Sequence, residues 1–178
     1  MRISKKIRDI VRQRAHFACE FCTVTETDCG GLLTIDHYQP RTKSGEDHPD
    51  NLIYCCPLCN QFKANYFPAN PDDPVLWNPR RESHSRHFLG MEDGHLFPIT
   101  PIGIFTLKRL RLNRPPLIAY RQQKQQRQTE QELLKRFREL TAMLEQVNNL
   151  LADRLMEQQH LLQEQQELLN LLLKRIKK

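Results

Sequence analysis

The chain has 178 residues and a formal net charge of +6, with 27 Lys and Arg against 21 Asp and Glu. That length fits one domain plus an appendage better than two full domains, and the basic balance favours an anionic partner, nucleic acid first. No run approaches the roughly 18 apolar residues of a spanning helix, and the start MRISKKIRDIVRQRAHF carries charges where a signal peptide needs an apolar core, so the expected setting is cytoplasmic and reducing, with no membrane partner.

Residues 5–18 place Ile7, Ile10, Val11 and Ala15 at helical spacing, which predicts a short amphipathic helix. It leads into Cys19 and Cys22, a C-x-x-C pair in CEFC. A turn, TDCGG, follows and contains Cys29, to which no role is assigned. The β-prone run LLTID then ends at the adjacent pair Asp36 and His37. The polar loop RTKSGEDHPD, broken by Gly45 and Pro49, leads to a second short strand, NLIYC. Next comes a second C-x-x-C, Cys56 and Cys59 in CPLC, where Pro57 suits the first turn of a helix running through LCNQFKANYF.

Residues 67–88 are rich in Pro, Asp and Asn and read as irregular wrapping chain. A strand and a helix carrying Leu107, Leu110 and Leu112 follow, closed by Pro115 and Pro116 read as a stop. From about Thr129, Leu133, Phe137, Leu140, Leu144, Val147 and Leu151 alternate by fours and threes, a heptad seam. The seam resumes as Leu155, Leu162, Leu169 and Ile176, which places a stutter near 151–155. A helix of roughly 45 residues, about 65–70 Å at 1.5 Å per residue, is too long to bury its stripe against a small domain. A homodimer or another coiled-coil partner through 129–178 is the expectation. Parallel pairing would bring the preceding domains of two copies together.

In a reducing setting, cysteines are ligands or buried thiols more often than disulfides. Two C-x-x-C knuckles point to a tetrahedral zinc site of Cys19, Cys22, Cys56 and Cys59. Cys55 reads as a small strand residue beside that site, with an exchange against Cys56 left open.

The order C-x-x-C, D-H at a strand end, N-L, then C-x-x-C-N-x-x-K resembles the cysteine-bearing branch of the HNH endonuclease family. Here it is carried by Cys19, Cys22, Asp36, His37, Asn51, Leu52, Cys56, Cys59, Asn60 and Lys63. The resemblance covers roughly residues 12–66, and 75–118 is similar to a tail found in cyanobacterial members. It implies a small ββα-metal domain over 1–67 with the zinc knuckles and a wrapping extension over 68–120; with the coiled-coil helix that the heptads place over 121–178, the expectation is an α+β chain. It also implies metal-dependent hydrolysis of DNA phosphodiesters.

The chemistry accounts for the residue types. A neutral imidazole near pH 7 is the natural proton acceptor, so His37 is the candidate base. The resemblance implies that Asp36 and Asn60 hold a divalent ion, and that Asn51 bridges the loop to fix the imidazole. Oxygen ligands suit magnesium or manganese. Lys63, on the Asn60 face of its helix, is the candidate phosphate contact. Lys108, Arg109, Arg111 and Arg114 form a further basic stripe that reads equally as a phosphate contact or a solvated helix face.

Taken alone, Asp36–His37 is a common surface pair, Asn51 a common cap and Lys63 a common solvated charge. The framework around them is what makes them candidates. The family's third His is Asn60 here, which weakens the metal cage and keeps a second reading open: a zinc-stabilised nucleic-acid-binding module with an oligomerisation helix. His48, His84, His87 and His95 have no matching spacing, and only His87 is a candidate for a flanking role.

Overall fold

The computed structural model describes residues 3–176, and the chain separates into two compact units, 1–125 and 126–178. The first is α+β. Helix α1 (Lys5–Arg14) is capped by Ser4, whose hydroxyl accepts from the Ile7 amide at 3.4 Å, and it buries Val11. The chain then turns sharply through His16 and Phe17, both at positive φ, into the first knuckle. There the Cys19 amide donates to the Val24 carbonyl and the Thr23 amide to that of Cys19. A one-turn helix, α2 (Glu26–Cys29), follows. Thr25 and Asp28 cap its start reciprocally, and Gly30 ends it in the left-handed region.

Strands β1 (Thr34–His37) and β2 (Leu52–Cys55) pair antiparallel, with Asp36 opposite Ile53 and His37 opposite Leu52. Every residue of β2 is buried, as its uninterrupted apolar run requires. Helix α3 (Pro57–Lys63) packs on β1. It stops at Lys63, short of the Phe67 that its sequence suggests, because Ala64 takes a positive φ of 51°.

A second hairpin, β3 (Phe88–Gly90) with β4 (Leu96–Pro98), precedes α4 (Pro101–Arg109). Leu76, Trp77, Phe88, Leu96, Leu110 and Leu112 join Val11, Phe21, Leu52 and Ile53 in one core, so the stretch after residue 67 completes the domain that carries the knuckles. At fixed area, such burial contributes roughly 25 cal/mol per Å².

Helix α5 spans Pro115–Ile176, 62 residues. Pro115 and Pro116 therefore open a helix, which corrects the stop expected from their sequence. Proline's fixed φ and missing N–H fit a first turn, whose amides have no intrahelical acceptor. The seam residues from Leu133 to Leu169 are exposed; the side chain of Ile176 lies outside the described residues. No helix among the described residues is long and apolar enough to cross a membrane.

Candidate active site and metal centre

The two knuckles meet. The Sγ atoms of Cys19, Cys22, Cys56 and Cys59 lie within 4.8 Å of one another, and all four residues are buried. Sulfurs about 2.3 Å from a tetrahedral zinc would stand about 3.8 Å apart; Cys22 and Cys56 are 3.7 Å apart. Four sulfurs this close cannot all be charged without a cation. Hydrogen bonds from Cys19, Cys22 and Cys59 hold the Cys56 thiol well below its ordinary range. Bonding to Cys19 first drives Cys22 and Cys59 upward. The donor set, its spacing and its burial fit a structural zinc ion.

Cys55 ends β2, whereas Cys56 caps α3, its sulfur accepting from the Cys59 amide at 3.4 Å. This settles the exchange in favour of Cys56. Cys55 is buried beside Thr34 instead, and Cys29 is exposed, outside the group of four.

A fifth residue, far from the knuckles in the chain, joins the four sulfurs. One guanidinium nitrogen of Arg114 lies 3.9 Å from Cys56 Sγ and 3.8 Å from Cys59 Sγ. With zinc bound, the four thiolates would carry a net double negative charge, part of which Arg114 would offset while donating to two of the sulfurs. Replacing Arg114 with Ala is expected to release zinc to a chromogenic chelator about tenfold faster or more, with Arg114→Lys in between; equal release rates in all three proteins would count against the contact.

The basic stripe does not survive folding as a unit. Arg109 lies over Tyr66 and donates to the Lys63 carbonyl at 3.2 Å. Arg111 lies over Phe62, Arg114 turns to the sulfurs, and Lys108 is exposed.

Strand β1 sends its last two side chains to opposite faces, as strand geometry dictates. On the α3 face, Asp36 Oδ2 is 2.8 Å from Lys63 Nζ, an ion pair without hydrogen-bond alignment. Lys63 is fully buried, and its ammonium donates to the carbonyls of His37 at 2.6 Å and Ala64 at 3.3 Å. The expected phosphate contact is thus corrected: Lys63 faces Asp36 and the end of β1, not solvent. Asn60 stands one turn earlier, its amide donating to Thr34 Oγ1 at 3.4 Å, which leaves its Oδ1 without a partner among the described residues. Asp36 Oδ1 has none either. Oxygens of this kind are the donors that a hard divalent cation takes.

On the other face, His37 Nε2 lies 2.7 Å from Asp47 Oδ1, and Asp47 is gripped by the forked guanidinium of Arg41. Hydrogen bonds from Arg41 first, and then His37, hold the Asp47 carboxyl below its usual range, so it is charged at neutral pH. Asp47 was not among the residues picked out in the sequence.

Asn51 staples the intervening loop. Its Nδ2 donates to the carbonyls of Gln39 at 3.0 Å and Glu46 at 2.9 Å, and its Oδ1 accepts from the Gln39 amide at 2.8 Å. Gly45 permits the closure, since a Cβ there would sit 1.7 Å from the Gln39 carbonyl oxygen. His87 has no part in this arrangement; it is buried between Thr100 and Glu82.

The knuckles, the D-H strand end, the Asn51 staple and the Asn60 helix fall within one segment. Residues 19–65 match the family model for HNH endonuclease. The Septu protein PtuA of Bacillus mycoides (strain KBAB4) is 29% identical, with 59% of this chain and 19% of that protein covered. The chain therefore spans about a fifth of that relative's length. No solved structure matches the chain. The HNH match points to nuclease-type chemistry for this domain.

Proposed function

We propose that the chain is a metal-dependent HNH endonuclease that hydrolyses phosphodiester bonds in DNA, with His37 as the base. The observation that carries this reading is the contact between His37 Nε2 and the Asp47 carboxylate. A charged carboxylate can only accept, so in the neutral ring the proton belongs on Nε2 and the lone pair on Nδ1. Nδ1 has no partner among the described residues, and that is the nitrogen that can take a proton from water. Asn51 keeps the loop bearing Asp47 in place.

Asp36 and Asn60 would hold a magnesium or manganese ion through their free oxygens. The ion supplies positive charge for the crowded phosphate and leaving oxygen. Lys63 then serves as a positioning residue, fixing the Asp36 carboxylate and the backbone of His37 together. The net charge of +6 favours the polyanionic substrate.

Asp47 is a positioning residue as well. Asp47→Asn is expected to lower kcat about 10- to 100-fold with KM little changed, and Asp47→Glu to recover part of the loss. Steady-state cleavage of a labelled duplex separates the two constants. A rise in KM alone would assign Asp47 to substrate binding instead.

A second reading has one observation in its favour. The Asp36 carboxylate, the only charged oxygen ligand proposed, already faces an ammonium, which opposes cation binding. On that reading the domain binds nucleic acid without cutting it, in a salt-dependent manner that survives His37→Ala.

A further inference from the structure

The second unit is a single helix with a wide apolar face. Among the described residues, seventeen large apolar side chains between 133 and 173 are each more than half exposed. A lone helix of this kind draws its stability from covering such a face, so the question is what covers it.

The spacing of the face answers. Leu133 and Leu173 lie at equal distances either side of Asp153, and so do Phe137 and Leu169, Leu144 and Leu162, and Leu151 and Leu155. Two neighbouring pairs, Leu134 with Leu172 and Leu150 with Met156, share that centre. The four-three alternation that runs down to Leu151 restarts at Leu155 in mirrored order, and the slip between the halves falls on the centre itself. A segment that reads alike in both directions is what an isologous twofold contact between two helices requires, because each half must meet the other half of its copy.

We propose that the occupant of this face is a second copy of the chain, its helix running antiparallel about a twofold axis at Asp153. Four layers then join apolar to apolar, while Leu140 meets Gln166 and Val147 meets Gln159. Those two mixed layers loosen the seam without breaking it, since glutamine lies along it on stems of methylene. In an antiparallel coil the a-type positions of one helix meet the d-type positions of the other. Counting by fours and threes, Phe137, Leu144 and Leu151 are of the first kind, and Leu155, Leu162 and Leu169 of the second.

Charge favours the same direction. Parallel pairing stacks Lys174 and Arg175 on their own copies. Antiparallel pairing sets them beside Glu130 and Glu132, and Arg138 near Glu167. Two like-charged pairs oppose it, Glu139 with Glu167 and Asp153 with its own copy at the axis, and Arg138 and Arg154 are adjacent to them. The proposal replaces the parallel arrangement that heptads alone leave open, and it sets the two helix N-termini at opposite ends of the pair.

The test uses the full chain in analytical ultracentrifugation, with far-UV dichroism to confirm that each variant keeps its helix. Wild type is expected to sediment as a dimer at micromolar concentration. Leu144→Lys alone and Leu162→Glu alone should each raise the dimer dissociation constant about a hundredfold, because each buries an unpaired charge twice. The double variant should return to within about tenfold of wild type, since in an antiparallel pair the new lysine faces the new glutamate of the partner copy. A double variant as weak as either single would overturn the orientation. A wild-type chain that stays monomeric would overturn the second copy and assign the face to a different protein, and a tetramer would overturn the two-chain arrangement.

Discussion

Supercoiled plasmid should be nicked by the purified chain with magnesium or manganese, and His37→Ala should slow that nicking by about a hundred- to ten-thousand-fold, the usual worth of a positioned general base. His37 is the right residue to change because its side-chain hydrogen bond is to a loop carboxylate, and its backbone contact to Lys63 survives truncation. Asp36 is a worse probe: removing it would leave the Lys63 ammonium buried beside two carbonyls with no counter-charge, at a cost of several kcal/mol, so lost activity would not distinguish chemistry from folding. The decisive pattern is metal-dependent nicking by wild type, none with EDTA over a time in which zinc content stays constant, and a folded, zinc-loaded, inactive His37→Ala. Equal cleavage by the mutant would mean a contaminating nuclease. No cleavage by wild type, with salt-dependent DNA binding intact in both proteins, would establish the binding module.

The parts of this site that were legible in the sequence are those held by short-range spacing. Two C-x-x-C pairs, a strand ending in D-H and a helix opening on Pro57 each announce themselves within a few residues, and the structure assembles them as their spacing implies. What was not legible depends on contacts between distant residues. Asp47 lies ten positions after His37 in a polar loop, and the Asn51 staple, the close approach at Gly45 and the Arg41 fork together bring it back to the ring. Arg114 reaches the sulfurs from 55 and 58 positions away, so it read as one more surface cation. Lys63 shows the same limit from the other side. A lysine in the last turn of a short helix ordinarily points to solvent, and nothing local says that Asp36 and two carbonyls will bury it. Proline pairs are ambiguous without context, since the same two residues can end one helix or begin the next.

Removing the zinc ion should unfold the first unit while leaving the second helical. The ligands come from two stretches of chain that are 34 positions apart, and they bind α1 and the first knuckle to β2 and α3. Apparent binding free energies of structural zinc are about 10–16 kcal/mol at neutral pH, against about 5–15 kcal/mol for the whole stability of an ordinary domain. Loss of the ion therefore exceeds what a core of this size can absorb. Ser at Cys59 has the same consequence, because a hydroxyl is a poor zinc ligand and position 59 is fully buried. The chain's single tryptophan reports on this unit alone. Trp77 is 3% exposed, packed edge-on against Phe21 and Phe88, so its emission should shift to the red when a strong chelator is added or when Cys59 is replaced by Ser. Far-UV dichroism should retain the large helical signal of residues 126–176 through the same titration if the copies pair as proposed. Trp77 emission unmoved by complete zinc removal would show that the four cysteines pack as a plain hydrophobic cluster, and the metal would lose its place in the fold.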